Sequence, residues 1–173
     1  RMRNMDLTFA YTTTVPDLVS TLGYRNTIDP LAISTGNPLL HNSHSHTTTY
    51  NYHRMWLRKQ IVMGLSASYI KDINPVATLY RYNSSTGVYE SKPMNVKGGD
   101  MWKFGFNYDQ GIGVYFRLMN KFALLTSKSY GFLTIVDNVD PNAIPDLNLQ
   151  KRLGIDENIE LSYEAEKVQL TLF

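Results

Sequence analysis

At 173 residues, with 43% hydrophobic and 18% charged side chains, the chain is long enough to bury a sizeable core and too apolar for intrinsic disorder. Its net charge of +2, from 17 basic and 15 acidic residues, is scattered, leaving no basic stripe for nucleic acid. Cysteine is absent, which excludes disulfide frameworks, zinc–thiolate centres and cysteine nucleophiles.

No run of about 18 apolar residues exists, so no transmembrane helix is expected; a membrane strand would escape that test because its apolar residues alternate with polar ones. The chain opens "RMRNMDLTF", without an initiator methionine or a signal-peptide core, and reads as a piece of a longer protein. Twelve tyrosines, seven phenylalanines and two tryptophans favour strands over helices. Aromatics in such number also suit the interfacial girdles of membrane barrels, although composition alone favours an ordinary β-rich soluble domain.

Along the chain, "VPDLVSTLGY" predicts one helical turn after Pro16. "DPLAISTGNPLL" (Asp29–Leu40) carries too many prolines for a helix and too many turn formers for a long strand. "HTTTYNYHRM" is polar on both faces except for Tyr50 and Tyr52, which share one. In "QIVMGLSASYIK", Ile61, Met63, Leu65, Ala67 and Tyr69 lie on one face. "ATLYRYN" sets Leu79 opposite Tyr80 and Tyr82, and "NSSTG" (Asn83–Gly87) reads as a short hairpin connection with Gly87 at positive φ.

"KPMNVKGGD" reads as a second loop. "DMWKFGFNYD" is a two-sided strand, with Trp102, Phe104, Phe106 and Tyr108 on its apolar face. The run from Gly113 to Val136 predicts two strands with "TSKSYG" as the turn between them, and "DNVDPNAIPD", with Pro141 and Pro145, predicts a loop. In "IELSYEAEKVQLTLF" the apolar residues change from odd to even positions, which a tight hairpin around Glu164–Lys167 or a β-bulge explains. The expected fold is all-β: an antiparallel meander of about eight or nine strands, several of them 9–12 residues long, the length an outer-membrane crossing needs.

The chemistry-bearing motifs are few. His41, His44, His46 and His53 are the only histidines and fall within thirteen residues. On a strand His44 and His46 point the same way, so these two are the candidate metal ligands. No Asp or Glu between Pro30 and Lys71 offers a third, and a polar strand entry is the competing reading. No "GxSxG" elbow is present, and no spacing singles out a pair among Asp100, Asp109, Glu157, Glu160 and Glu164. "GGDMWKFG" and "GIGVYF" match no phosphate loop before a helix. No enzymatic activity and no cofactor are expected. The aromatics of "YHRMW", "LYRYN" and "DMWKF" are candidates to stack on sugars; packing against other residues or facing a membrane is the competing and commoner reading.

One series of landmarks resembles a known family. Tyr11, Pro16, Leu22, Asp29-Pro30-Leu31, Gly36-Asn37-Pro38 and Leu40 follow a signature of TonB-dependent-receptor-like outer-membrane β-barrels, the outer membrane protein beta-barrel family. Tyr69 and Asn74, Thr86-Gly87 and Pro93-Met94-Asn95-Val96-Lys97-Gly98 continue the pattern through about Tyr108. Where that pattern carries a proline after the leucine of "GNPxL", this chain has "LLHNS". The resemblance implies that residues 1–173 form a single segment of a larger barrel domain in the outer membrane of Gram-negative bacteria, without a plug, TonB box or closing strand.

It further implies a receptor or porter for nutrients, with loops that recognise ligand. Those loops are Thr27–Leu40, Asn83–Gly87 and Asp137–Asp146, and Asn37, Tyr80, Tyr82, Asn83 and Asn142 are the candidate ligand-binding residues. The expected partners are a nutrient, outer-membrane lipid and, for an isolated segment with open sheet edges, a second copy paired edge to edge. The alternative reading is a secreted or surface-anchored β-sandwich that binds glycans or adhesion partners.

Overall fold

The computed structural model describes residues 2–132, 136–137, 146–165 and 168–172. In chain order the elements are β1 (Met2–Thr14), α1 (Leu18–Thr21), β2 (Arg25–Asn26), β3 (Ala32–Thr35), β4 (Ser43–Trp56), β5 (Ile61–Ile73) and β6 (Val76–Asn83). There follow β7 (Val88–Asn95), β8 (Asp100–Ile112), β9 (Phe116–Phe132), β10 (Val136–Asp137), β11 (Leu147–Ala165) and β12 (Val168–Leu172). They make two sheets: seven strands in the order β1-β4-β5-β8-β9-β11-β12, and five in the order β10-β6-β7-β3-β2.

The seven-stranded sheet is antiparallel throughout. Its sequence period of two becomes two chemically opposed faces. Along one rank of paired residues run Leu7, Tyr50, Ala67, Phe104, Leu124 and Ile155; the neighbouring rank on the same face holds Phe9, Thr48, Tyr69, Trp102, Thr126 and Leu153. The opposite face carries Thr8, Thr49, Ser68, Lys103 and Leu125 in one rank and Asp6, Asn51, Ser66 and Gly105 in another. Thr49 and Ser68 hydroxyls meet at 3.2 Å there, and Asn51 donates to Asp6 at 3.1 Å. On the apolar face, Asn120 and Glu157 break the pattern and satisfy each other, the amide donating to the carboxylate at 3.3 Å.

Among the described residues no core covers the apolar face. The only buried hydrophobic residues among those described are Leu79 and Val96, at 2% and 5% exposure, whereas Trp102, Phe104 and Leu153 remain 41%, 40% and 69% exposed. A sandwich packs two inner faces against each other to make its core. The alternative of a β-sandwich is therefore corrected: this is a one-layer wall, apolar on one side and polar on the other. Its strands are also longer than the expected 9–12 residues. β9 has 17 and β11 has 19. At about 3.3 Å per residue and a tilt of about 40°, seventeen residues climb about 43 Å, well beyond a lipid band of about 25 Å.

That excess height explains one failed expectation. "TSKSYG" is not a turn: β9 runs through it without a break, Lys128 pairing with Asp100 on one side and Lys151 on the other. The polar residues occupy both faces of a strand that has left the hydrocarbon. "KPMNVKGGD" is likewise only half a loop, since Lys92–Asn95 belong to β7. Among the described residues the expected eight or nine strands are met by eight long ones and the five-residue β12, with β2, β3 and β10 as short additions. The helical turn after Pro16 is present, as is the Asn83–Gly87 connection with Gly87 at φ 71. The terminal hairpin is present too, with Ala165 paired to Val168.

Candidate functional site

The connections at the two ends of the wall differ in length. At one end β4 joins β5 through Leu57–Gln60, β8 joins β9 through residues 113–115, and β11 turns directly into β12. At the other end lie residues 15–42 and 74–99 and the link from β9 to β11, of which Val136–Asp137 and Asp146 are described. All three of these long connections feed the five-stranded sheet: β2 and β3 come from the first, β6 and β7 from the second, β10 from the third. β6 and β7 form an antiparallel hairpin, while β3 joins β7 and β10 joins β6 in parallel, a departure from the expected meander.

The stretch "DPLAISTGNPLL" supplies β3 and its anchorage. At Gly36 an added Cβ would lie 1.8 Å from the Leu22 carbonyl oxygen, so only glycine lets the chain pass the end of α1. Asn37, next in line, is buried at 7% exposure. Its backbone N–H donates to the Ser20 carbonyl at 2.7 Å, its side-chain amide donates to the Pro93 carbonyl at 3.0 Å, and its Oδ1 accepts from Leu39 N–H at 3.1 Å. Asn95 does the same job nearby: Oδ1 accepts from His41 N–H at 2.8 Å, and Nδ2 donates to the His41 and Asn74 carbonyls at 3.0 and 2.9 Å. These amides tie the first long connection to the second.

The hairpin register gives the small sheet an aromatic face. Tyr80 pairs with Ser91, Ser91 with Ser34, and Ser34 with Asn26, a polar rank ending on a tyrosine. Beside it Tyr82 pairs with Tyr89, and their ring centroids are 4.6 Å apart. Tyr80 and Tyr89 are 48% and 46% exposed, so a planar apolar ligand face has access to them. A hollow of about 120 Å³, lined by Tyr24, Asn26, Ser34 and Pro93 among others, opens on this face. The other face carries buried Leu79 and the Arg25–Glu90 ion pair at 2.7 Å.

The sequence-derived candidates therefore divide. Tyr80 and Tyr82 come together on one face; Asn37 is committed to internal bonds. Asn83 holds the hairpin tip, its Oδ1 accepting from Ser85 N–H at 3.0 Å and Thr86 N–H at 3.3 Å. Asn142, with nearly all of the loop Asp137–Asp146, lies outside the described residues. Tyr89, Asn26 and Ser34 were missed. Folding "VYESK" back on "LYRYN" across Asn83–Gly87 would have placed Tyr89 against Tyr82; Asn26 and Ser34 had no such signal, because parallel pairing to β3 is not written in local sequence.

The histidines do not gather. His44 and His46 share the apolar side of β4, where Tyr11 stacks on His44 with its hydroxyl 2.7 Å from Nδ1; the Thr13 hydroxyl lies 3.0 Å from the same nitrogen. His53 pairs with Asn4 and Gly64 on the opposite face, and His41 sits in the first long connection. Among the described residues no group of three or more His, Cys, Asp or Glu side chains converges to hold a metal. At the short-turn end the polar face bounds an open cavity of about 580 Å³, where Arg117 forks onto the Asp109 carboxylate beside Glu160 and Ser162.

A wall of long antiparallel strands, apolar on one face and polar on the other, with short turns at one end and long connections at the other, is the design of a transmembrane β-barrel. The model of the outer membrane protein beta-barrel family matches residues 2–171, and the chain belongs to that family, whose members reside in the bacterial outer membrane. Neither the curated proteins nor the solved structures contain a match to it.

Proposed function

We propose that the protein is a non-enzymatic receptor or porter of the TonB-dependent type, whose wall lines a route for a nutrient and whose loop sheet captures it. Short turns face the periplasm and long connections the exterior in barrels of this kind. The five-stranded sheet then stands at the cell surface. One observation carries the reading: three separate long connections are knitted into one sheet that presents Tyr80, Tyr82 and Tyr89 beside Asn26, Ser34 and Ser91. Free loops need no such order; a preformed stacking face with adjacent hydrogen-bonding groups lowers the cost of capturing a ligand. Such rings and amides suit the alternating apolar and hydroxyl faces of a sugar.

The test uses the full-length barrel in cells. A Tyr80→Ala, Tyr89→Ala variant is compared with the parent for uptake of labelled oligosaccharides, with a labelled hydrophobic peptide as the contrasting probe. Loss of two stacking rings is expected to weaken oligosaccharide capture about tenfold, at about 0.5–1.5 kcal/mol per ring. Uptake that survives unchanged in the variant removes the capture role from this face. Running the same assay in cells stripped of the inner-membrane energy-coupling complex separates the two transport modes: an energised receptor stops, a passive porter continues.

A further inference from the structure

Toward the long connections the apolar face of the wall is crossed by a rank of paired residues unlike any below it: Tyr11, His46, Lys71, Asp100, Lys128 and Lys151; beyond it the same face carries Ile73, Tyr130 paired with Leu149, and Phe132 paired with Leu147. The rank immediately beneath holds Tyr69 and Trp102, whose rings are 4.4 Å apart, with Phe104 stacked on Trp102 at 5.9 Å. Tryptophan and tyrosine mark the level where hydrocarbon gives way to headgroups. The lysines stand one step above that level, on the side that meets lipid. A fourth cation joins them: Lys97, from the connection between β7 and β8, lies 5.1 Å from the centre of the Tyr130 ring, and Tyr130 is two residues beyond Lys128 on the same side of β9.

Asp100 is the one carboxylate in the rank, and among the described residues it closes no ion pair with Lys71 or Lys128. Adjacent strands are about 4.8 Å apart, so Lys71 and Lys151 lie about 14 Å apart with Lys128 between them. The position is fixed from below. At Gly98 an added Cβ would sit 1.8 Å from the Asp72 carbonyl oxygen, and at Gly99 2.0 Å from that of Lys128, so the connection carrying Lys97 is pressed into the gap between β5 and β9.

We infer that Lys71, Lys97, Lys128 and Lys151 form a docking strip for the phosphate headgroups of lipids in the leaflet on the long-connection side. Four ammonium groups against one carboxylate, at headgroup depth and facing the bilayer, are complementary to an anionic headgroup whose acyl chains lie along Leu153, Ile155 and Leu124. The strip rests on the barrel reading but not on the nutrient reading, since it uses no residue of the tyrosine face.

The experiment reconstitutes the full-length barrel in phosphatidylcholine bilayers and measures, by electron spin resonance, the motionally restricted fraction of spin-labelled phosphatidic acid and of spin-labelled phosphatidylcholine. The parent is expected to prefer phosphatidic acid about threefold or more, with added salt reducing the preference. A Lys71→Gln, Lys128→Gln, Lys151→Gln variant should lose that preference, its arginine counterpart should keep it, and Asp100→Asn should raise it. Heat-modifiable mobility on a gel verifies folding; if the triple variant does not fold, the single glutamine variants are expected to show graded losses. A preference that survives the glutamine changes overturns the assignment. So does its abolition by inorganic phosphate, but not by chloride of matched ionic strength, which would mark a site for free anion. Failure of oligosaccharide capture with this preference intact would instead count against the nutrient reading alone.

Discussion

Asp17 shows how much a single side chain contributes to the outer connections. It caps α1, with Oδ1 accepting the Ser20 backbone N–H at 2.8 Å and Oδ2 the Ser20 hydroxyl at 2.6 Å. These bonds favour the ionised carboxylate, and the Ser20 hydroxyl first, then its backbone N–H, hold Asp17 below the ordinary value of 3.8. A depressed folded-state value means the cap's contribution is fully present above 3.8 and fades as pH falls through the lowered value. Ser20→Ala is expected to move the Asp17 titration upward toward 3.8, read from its carboxyl carbon resonance by NMR. A titration unmoved by the substitution would deny the hydroxyl its part. Asn37 and Asn95 act at the same scale: each donates from its side-chain amide to a backbone carbonyl of another connection.

At the scale of the strand, the two faces of β9 and its neighbours obey different solvents. Leu124 sits mid-strand on the apolar side, paired with Phe104 and Ile155. Leu124→Arg is expected to cost about 2–4 kcal/mol of folding stability in a bilayer, whereas Thr8→Arg on the polar side should cost far less. Denaturant titration in lipid vesicles, followed by tryptophan fluorescence, measures both; equal losses would mean that the faces are not segregated. The alternation behind this prediction was legible at once in "DMWKFGFNYD" and "QIVMGLSASYIK", because one solvent on each side imposes a strict period of two. β9 was misread where it rises past the hydrocarbon, since there both sides meet polar surroundings and "TSKSYG" takes turn-like composition without turning. β3 and β10 were illegible for a different reason. Their parallel partners lie more than fifty residues away, and two to four residues carry no period.

For the molecule as a whole, orientation is the property that unites the parts. The long connections, the tyrosine face and the lysine strip all lie toward one end, and the cavity bounded by Asp109, Arg117 and Glu160 lies toward the other. An epitope inserted between Ser84 and Ser85 is expected to bind antibody on intact cells. One inserted between Arg58 and Lys59, in the β4–β5 turn, should bind only after the outer membrane is opened. The reverse pattern would invert the barrel and move the capture face to the periplasm. Within the long-connection end, the tyrosine pair follows from a hairpin register the sequence contains, while its polar rank required the fold.

Because the outer connections are woven into one small sheet, they cannot drift apart in sequence as independent surface loops do. A protein on a bacterial surface meets antibodies and phages that select for altered loops. Here a change at Asn37 or Asn95 would disturb the neighbouring connection as well. The tip at Ser84–Ser85, whose backbone is held by Asn83 alone, is where such variation has room. In the proposed orientation, the surface this protein shows its enemies divides into a small expendable tip and a larger part that must stay as it is.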